Sequence, residues 1–366
     1  MVKSQISKTR TKLFFCIIMT VILIGLLSGC KKQPEIEKAE ITQEDIIQIG
    51  FCFDSFLIER WERDRDIFVT TAKELGAEVN VQNANGDVNQ QIAQIEYLID
   101  KKMDAILIVG VASDGLSEVV KKAKDAGIVV IAYDRMIYNA DVDLYISFDN
   151  EAVGELMGEA LVQNGITNGK VLVLSGPTTD NNVSMVNEGF TKKMRENGNE
   201  IVDTMYVDNW RPEYASEYIY SHPEVLDEID AIMCGNDSIA TQVIRVLAEK
   251  RKAGEILVTG QDADLEACQR IVEGTQLMTV YKPVEVQART AVECTIGLIE
   301  GNMPEEINAH VSDGTYIVPG IVLNPVSVTA ANMDAVIIDS GFHLREDVYL
   351  NVGDDGDETA VDKDMS

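Results

Sequence analysis

The sequence predicts an α/β protein of two consecutive blocks, each an open, mostly parallel β-sheet flanked by helices. Three observations carry this. Short apolar runs alternate with longer segments whose apolar residues recur at helical spacing. Strand starts recur about every 25–30 residues, the length of one βα unit. The pattern then restarts after Ser147-Phe148-Asp149. Short glycine-punctuated links fit parallel strands joined by crossover helices.

In the first block, residues 46–53 form an apolar run ending at Asp54, the pattern of a buried strand. Residues 59–75 carry Ile67, Phe68, Ala72 and Leu75 at helical spacing. A strand at 77–81 and a helix at 89–101 follow, the helix carrying Ile92, Ile95 and Ile99. Apolar strands at 105–109 and 128–132 flank a helix ending at Gly127. In the second block, helix 149–164 gathers Ala152, Val153, Leu156, Met157, Ala160 and Leu161 on one face. Strand 170–174, helix 182–197, strand 201–207, helix 212–220 and strand 229–234 come next. Helix 236–252 presents Ile239, Val243, Ile244 and Leu247, and strand 255–260 leads into Gly260-Gln261-Asp262. A strand at 277–281 and a helix at 284–299 precede a less regular stretch, 302–345, whose short strands could cross back between blocks. The acidic tail, 351–366, is expected to be disordered.

Composition narrows the function. The 366 residues are 46% hydrophobic and 25% charged, enough for a real core and against global disorder. One long apolar run excludes a multi-span membrane protein. The formal net charge of -30 argues against a nucleic-acid partner, whose phosphates would be repelled. It also argues against docking on anionic lipid through a basic face.

The apolar run lies at the N-terminus, after Lys3, Lys8, Arg10 and Lys12. Residues 13–27 are short for a spanning helix, which needs about 20, and fit a secretory signal. Leu27-Ser28-Gly29-Cys30 resembles a bacterial lipobox. That resemblance implies a signal peptide over 1–29, cleavage before Cys30, a lipid on its thiol and a tether over 30–45. The rest of the chain is then extracytoplasmic, and an anchor of this kind suits a Gram-positive cell. Cys52, Cys234, Cys268 and Cys294 form no CxxC pair, so they carry neither zinc nor thioredoxin chemistry. They are expected to be free and buried.

Nothing points to an enzyme. Residues 165–170 (GITNGK) fall one short of a phosphate-binding P-loop, and no GxGxxG or GxSxG occurs. His222, His310 and His343 share no spacing, so no triad or metal site is expected, and no cofactor. Certain polar residues instead cluster at strand ends. Asp54 ends the first strand, with Arg60 and Trp61 shortly after; Asp134-Arg135 ends another. Asp180-Asn181-Asn182, Trp210, Asn236-Asp237, Asp262 and Lys282 each follow a strand of the second half. Ligands of open α/β sheets bind beyond strand carboxyl ends. Carboxylates, amides and arginine forks suit sugar hydroxyls, and indole faces pack on sugar C–H faces.

These residues carry a family resemblance. Glu59-Arg60-Trp61 with Asp64-Arg65-Asp66-Ile67-Phe68, Asn83-Ala84-Asn85-Gly86, and Ala132-Tyr133-Asp134-Arg135-Met136-Ile137 with Tyr145-Ile146-Ser147-Phe148-Asp149-Asn150 form its first part. Asp180-Asn181-Asn182, Gly260-Gln261-Asp262-Ala263-Asp264-Leu265 and Thr279-Val280-Tyr281-Lys282-Pro283 continue it. Over about residues 46–345 the chain resembles the D-xylose-binding periplasmic proteins of bacterial ABC transporters. The resemblance implies a type I periplasmic-binding fold, two lobes joined by three crossings near 148–151, 279–284 and 310–316. It assigns 46–148 plus 284–311 to the first lobe and 150–279 plus 315–345 to the second. It implies a sugar-contacting set of Arg60, Trp61, Asp134, Arg135, Asp180, Asn182, Trp210, Asn236, Asp262 and Lys282, with the two tryptophans flanking the ring. The partners it implies are a monosaccharide, D-xylose first, and an ABC permease, for a monomeric receptor. A sensory co-receptor for a membrane histidine kinase or chemoreceptor is the alternative.

Overall fold

The computed structural model describes residues 46–352. The expected signal over 1–29, the lipidated Cys30, the tether over 30–45 and the acidic tail after Val352 lie outside the described residues.

The chain runs in three stretches. The first alternates β1 (Ile47–Phe53), α1 (Arg60–Glu74), β2 (Ala77–Asn83), α2 (Val88–Asp100), β3 (Ala105–Ile108), α3 (Ser117–Asp125), β4 (Val129–Tyr133) and β5 (Leu144–Phe148). The second holds α4 (Asn150–Gln163), β6 (Lys170–Ser175), α5 (Asn181–Glu196), β7 (Glu200–Tyr206), α6 (Glu213–Ser221), β8 (Ala231–Cys234), α7 (Asp237–Glu249), β9 (Leu257–Gln261), α8 (Leu265–Glu273) and β10 (Met278–Tyr281). The third holds α9 (Val284–Ile299), β11 (Ala309–Ser312), β12 (Ile317–Leu323), β13 (Val326–Val328) and α10 (Arg345–Val348).

Two sheets result. One has strand order β11-β12-β5-β4-β3-β1-β2, the other β13-β10-β9-β8-β6-β7. All neighbours pair in parallel except β11 with β12 and β13 with β10. Central strands such as β3 (AILI) and β8 (AIMC) are buried along their whole length. That is why they read as continuous apolar runs: helices cover both faces. Local signals set the helix starts. Asp87, Asp149, Asp180 and Asn236 each accept a backbone N–H of the helix they precede. Gly127, at φ +80, ends α3 as the sequence expects. Beneath α1, the Phe51 ring packs 4.1 Å from Phe53, 4.7 Å from Phe68 and 5.2 Å from Tyr133, centroid to centroid.

The chain passes between the lobes after β5, after β10 and after β12. The third passage differs from expectation. β12 pairs in parallel with β5, from Gly320↔Tyr145 to Leu323↔Phe148, so 317–323 belongs to the first sheet. The chain changes lobe between Leu323 and Val326, not at 310–316, and 315–323 leaves the expected second lobe. The reason is the open edge of β5. β12 covers that edge and buries Val318 and Ile321, while β13 covers the edge of β10 in the other sheet. Three elements escaped the periodicity, β5, α8 and α10. Cys52, Cys234, Cys268 and Cys294 are free and buried. Burial pushes the Cys52 thiol up to about 12, so it stays neutral.

Candidate functional site

The strand ends of both sheets converge on one cavity. From the first lobe come Arg60 and Trp61 at the start of α1, and Asp134 and Arg135 after β4. From the second come Asp180 and Asn182 around the start of α5, Trp210 after β7, Asp262 after β9 and Lys282 after β10. These are nine of the ten sequence-predicted residues. Asn236 adjoins the lining residue Gly235. Its Oδ1 accepts the Ile239 N–H at 2.9 Å and so caps α7, while its buried Nδ2 has no partner among the described residues.

Backbone placement is tight. Asp134 (φ 65) and Asp262 (φ 97) both adopt left-handed conformations just past a strand. Such conformations persist only where neighbours hold them. Asp134 donates its N–H to Ile146 O at 2.7 Å, and its own carbonyl accepts Ser147 Oγ at 2.6 Å. Asp262 donates its N–H to Val280 O at 2.8 Å. Trp210 lies against Gly176, where a Cβ would sit 2.3 Å from the indole, so a side chain at 176 would displace the ring.

The charges form two linked sets. Arg60 pairs with Asp64 at 3.2 Å and with Asp134 at 3.0 Å. Arg135 reaches Asp54 at 2.8 Å in its own lobe and Asp180 at 2.6 Å in the other. The second contact is an ion pair whose angle makes no directional hydrogen bond at Nε. Lys282 stands 3.6 Å from Asp262. Burial alone would raise the Asp134 carboxyl, but Arg60, Lys282 and Arg135 outweigh it and hold the group below its ordinary value. At Asp180 and Asp54 burial wins over Arg135, and both carboxyls are pushed up.

The lobes touch across the cavity. Ser113 N–H donates to Thr179 O at 2.9 Å, Met136 N–H to Asn181 Oδ1 at 2.9 Å, and Asn182 Nδ2 to Asp134 Oδ1 at 2.9 Å. The arrangement is closed. The indoles differ in their surroundings. Trp210 Nε1 donates to Asp180 Oδ2 at 3.3 Å, whereas the buried Trp61 Nε1 has no partner among the described residues. Arg60 lies 4.4 Å and Arg135 5.7 Å from the Trp61 ring centre.

Sequence reasoning missed part of the lining. Gln261 lies inside the Gly-Gln-Asp string, where its neighbour Asp262 carries the stronger sequence signal. Its Nε2 donates to Gly235 O at 2.5 Å, and its buried Oε1 has no partner among the described residues. Ile58, Val183 and Val186 supply apolar wall, and no chemical signal marks them in the sequence. Asp54 was legible as a strand end; its role as the partner of Arg135 was not.

Residues 49–303 match the periplasmic binding protein domain. The chain belongs to the periplasmic binding protein family. It is 39% identical over 308 residues to the D-xylose-binding periplasmic protein of Haemophilus influenzae, across 83% of this chain and 92% of that one. The identity to the D-xylose-binding periplasmic protein of Escherichia coli is also 39%, across 82% and 92%. Among solved structures, an ABC transporter solute binding protein from Clostridium phytofermentans with bound β-D-glucose superposes with a TM-score of 0.75 at 27% identity, covering 82% of this chain and 99% of that one. The two-lobed type I fold expected from the sequence is thus the fold observed. Membership places this binding protein among transport proteins and not among enzymes.

Proposed function

We propose that this family member is an extracytoplasmic receptor that closes its lobes around a monosaccharide, D-xylose, and delivers it to an ABC permease. One observation carries the reading. Three polar atoms around the cavity (Trp61 Nε1, Asn236 Nδ2 and Gln261 Oε1) are buried without a hydrogen-bond partner among the described residues. Buried polar groups are otherwise satisfied almost always, so both lobes hold unused donors and acceptors for a polar guest. The guest should be neutral, because every cation of the lining already faces a carboxylate. A polyhydroxylated ring meets both conditions. The naming of relatives for D-xylose, at 39% identity over most of the chain, supports that sugar.

In this reading Arg60, Asp134, Arg135, Asp180, Asn182, Asn236, Asp262 and Lys282 bond the hydroxyls, and Trp61 and Trp210 flank the ring. The lobes swing on the three passages and close when contacts to both become available. Calorimetric titration against pentoses and hexoses tests it: D-xylose should bind at one site and more tightly than glucose, arabinose or ribose. The chain's two tryptophans both line the cavity. Their emission should therefore shift saturably with D-xylose, and Trp210→Phe should remove much of the change. Binding by calorimetry with wholly unchanged emission would take both indoles out of the pocket.

The same reading places a monomer at the cell membrane through lipid on Cys30, in a Gram-positive cell. Cys30→Ser should move the protein from the detergent phase to the aqueous phase on fractionation. Equal partitioning of variant and wild type would place the anchor elsewhere.

A further inference from the structure

We infer that Gln287 and Asp64, neither of which lines the cavity, are positioning residues that set the orientation of the Arg60 guanidinium; this rests on the sugar-binding reading above. Both are fully buried. Gln287 lies at the start of α9, directly after the second passage between lobes. Its Oε1 accepts Arg60 Nη2 at 2.8 Å, and its Nε2 donates to Ile146 O of β5 at 3.2 Å. Asp64, one turn along α1, accepts Arg60 Nε at 3.3 Å and Nη2 at 3.2 Å. The Tyr133 hydroxyl donates to Asp64 Oδ1 at 2.5 Å and fixes that carboxylate in turn.

A guanidinium has five N–H donors in a rigid fork. Asp64 and Gln287 engage three of them, all on Nε and Nη2. Nη1 remains, paired at 3.0 Å with Asp134 of the lining. The fork is thus gripped along one edge by groups outside the cavity, and the other nitrogen is left for the lining and the sugar. Two carboxylates already face Arg60, so a neutral amide at 287 adds an acceptor without a third negative charge. The same amide ties Arg60 to β5 just before the first passage and to α9 just after the second. A ligand-facing cation is thereby fixed to two of the three elements about which the lobes turn.

The full chain tests this in Gln287→Met, which keeps length and burial but neither hydrogen bond, and in Asp64→Asn, which keeps size. Rotation about the Arg60 Nε–Cζ bond is read by nitrogen-detected NMR, with the signal assigned through Arg60→Lys. We expect slow rotation in the wild type and at least roughly ten-fold faster rotation in both variants. D-xylose affinity should fall about ten-fold, the scale of one lost hydrogen bond to a charged group. The loss should also be selective: the monodeoxy-xylose that is indifferent to Arg60→Lys should be equally indifferent to Gln287→Met. Unchanged rotation in folded variants, or an equal loss for every sugar, would overturn the inference. Should the wild type bind no monosaccharide, the sugar reading fails by itself, and the rotation rates still decide whether Gln287 and Asp64 hold Arg60.

Discussion

Arg135→Ala is expected to weaken D-xylose binding by about 2–5 kcal/mol, roughly thirty-fold to several thousand-fold. The side chain is a bridge as well as a cavity wall. It joins Asp54 and the Gly110 carbonyl of the first lobe to Asp180 of the second. Its removal leaves two buried carboxylates facing each other's lobe without a cation, which costs more than the lost attraction. The variant should also depend on pH more steeply than the wild type, because Arg135 no longer offsets the burial of the two carboxyls. Burial already pushes Asp54 and Asp180 up, and opening the cleft returns them to water. The closed form then binds protons more readily than the open form, so lowering the pH favours closure. Affinity of Arg135→Ala should therefore recover in part as pH falls, measured by calorimetry over the acid range. Asp262→Ala removes a residue of the facing lobe and should cost a similar amount without that recovery. Wild-type affinity in a folded Arg135→Ala protein would remove the residue from the site.

Gly189→Val is expected to destabilise the protein by about 3 kcal/mol or more, the upper range for overpacking. Gly189 of α5 lies against α4 so closely that a Cβ would sit 2.1 Å from Glu151 O. Gly154 of α4 makes the reciprocal approach, its Cβ position 1.9 Å from Val186 O. The obstructing atoms are backbone, so no rotamer change relieves the clash and the helices must part. Gly154→Ala should destabilise too, although alanine in an open helix gains about 0.5–1 kcal/mol over glycine. Urea unfolding of the two variants checks this. Wild-type midpoints would mean that the helices pack less closely than the structure shows. Because α5 begins at Asn181 and carries Asn182, sugar affinity should fall alongside stability.

The fold was legible where its signal is local. β3 and β8 were readable because strands buried on both faces are apolar at every position. Asp149, Asp180 and Asn236 were readable as helix starts because a cap acts on the next three residues. Nine of ten expected site residues share one cavity because strand carboxyl ends all emerge on one side of a parallel sheet. Gln261 escaped because glutamine before an aspartate carries no distinctive signal. Gly154 and Gly189 escaped because a glycine in an amphipathic helix looks like a weak position until the opposing backbone is known.

The sequence by itself determined most of the order of strands and helices up to residue 299, the division into two α/β blocks and the kinds of side chain at the strand ends. Periodicity, capping and polar residues after apolar runs are all properties of neighbours along the chain. Only the tertiary structure decided which sheet takes β12, where the third passage lies, and how the charges pair. The pairing of β12 with β5, of Arg135 with both Asp54 and Asp180, and of Arg60 with Gln287 joins residues far apart in sequence. Those contacts form because an open sheet edge, or a buried charge, takes whichever compatible partner the fold brings near. No local pattern encodes that partner.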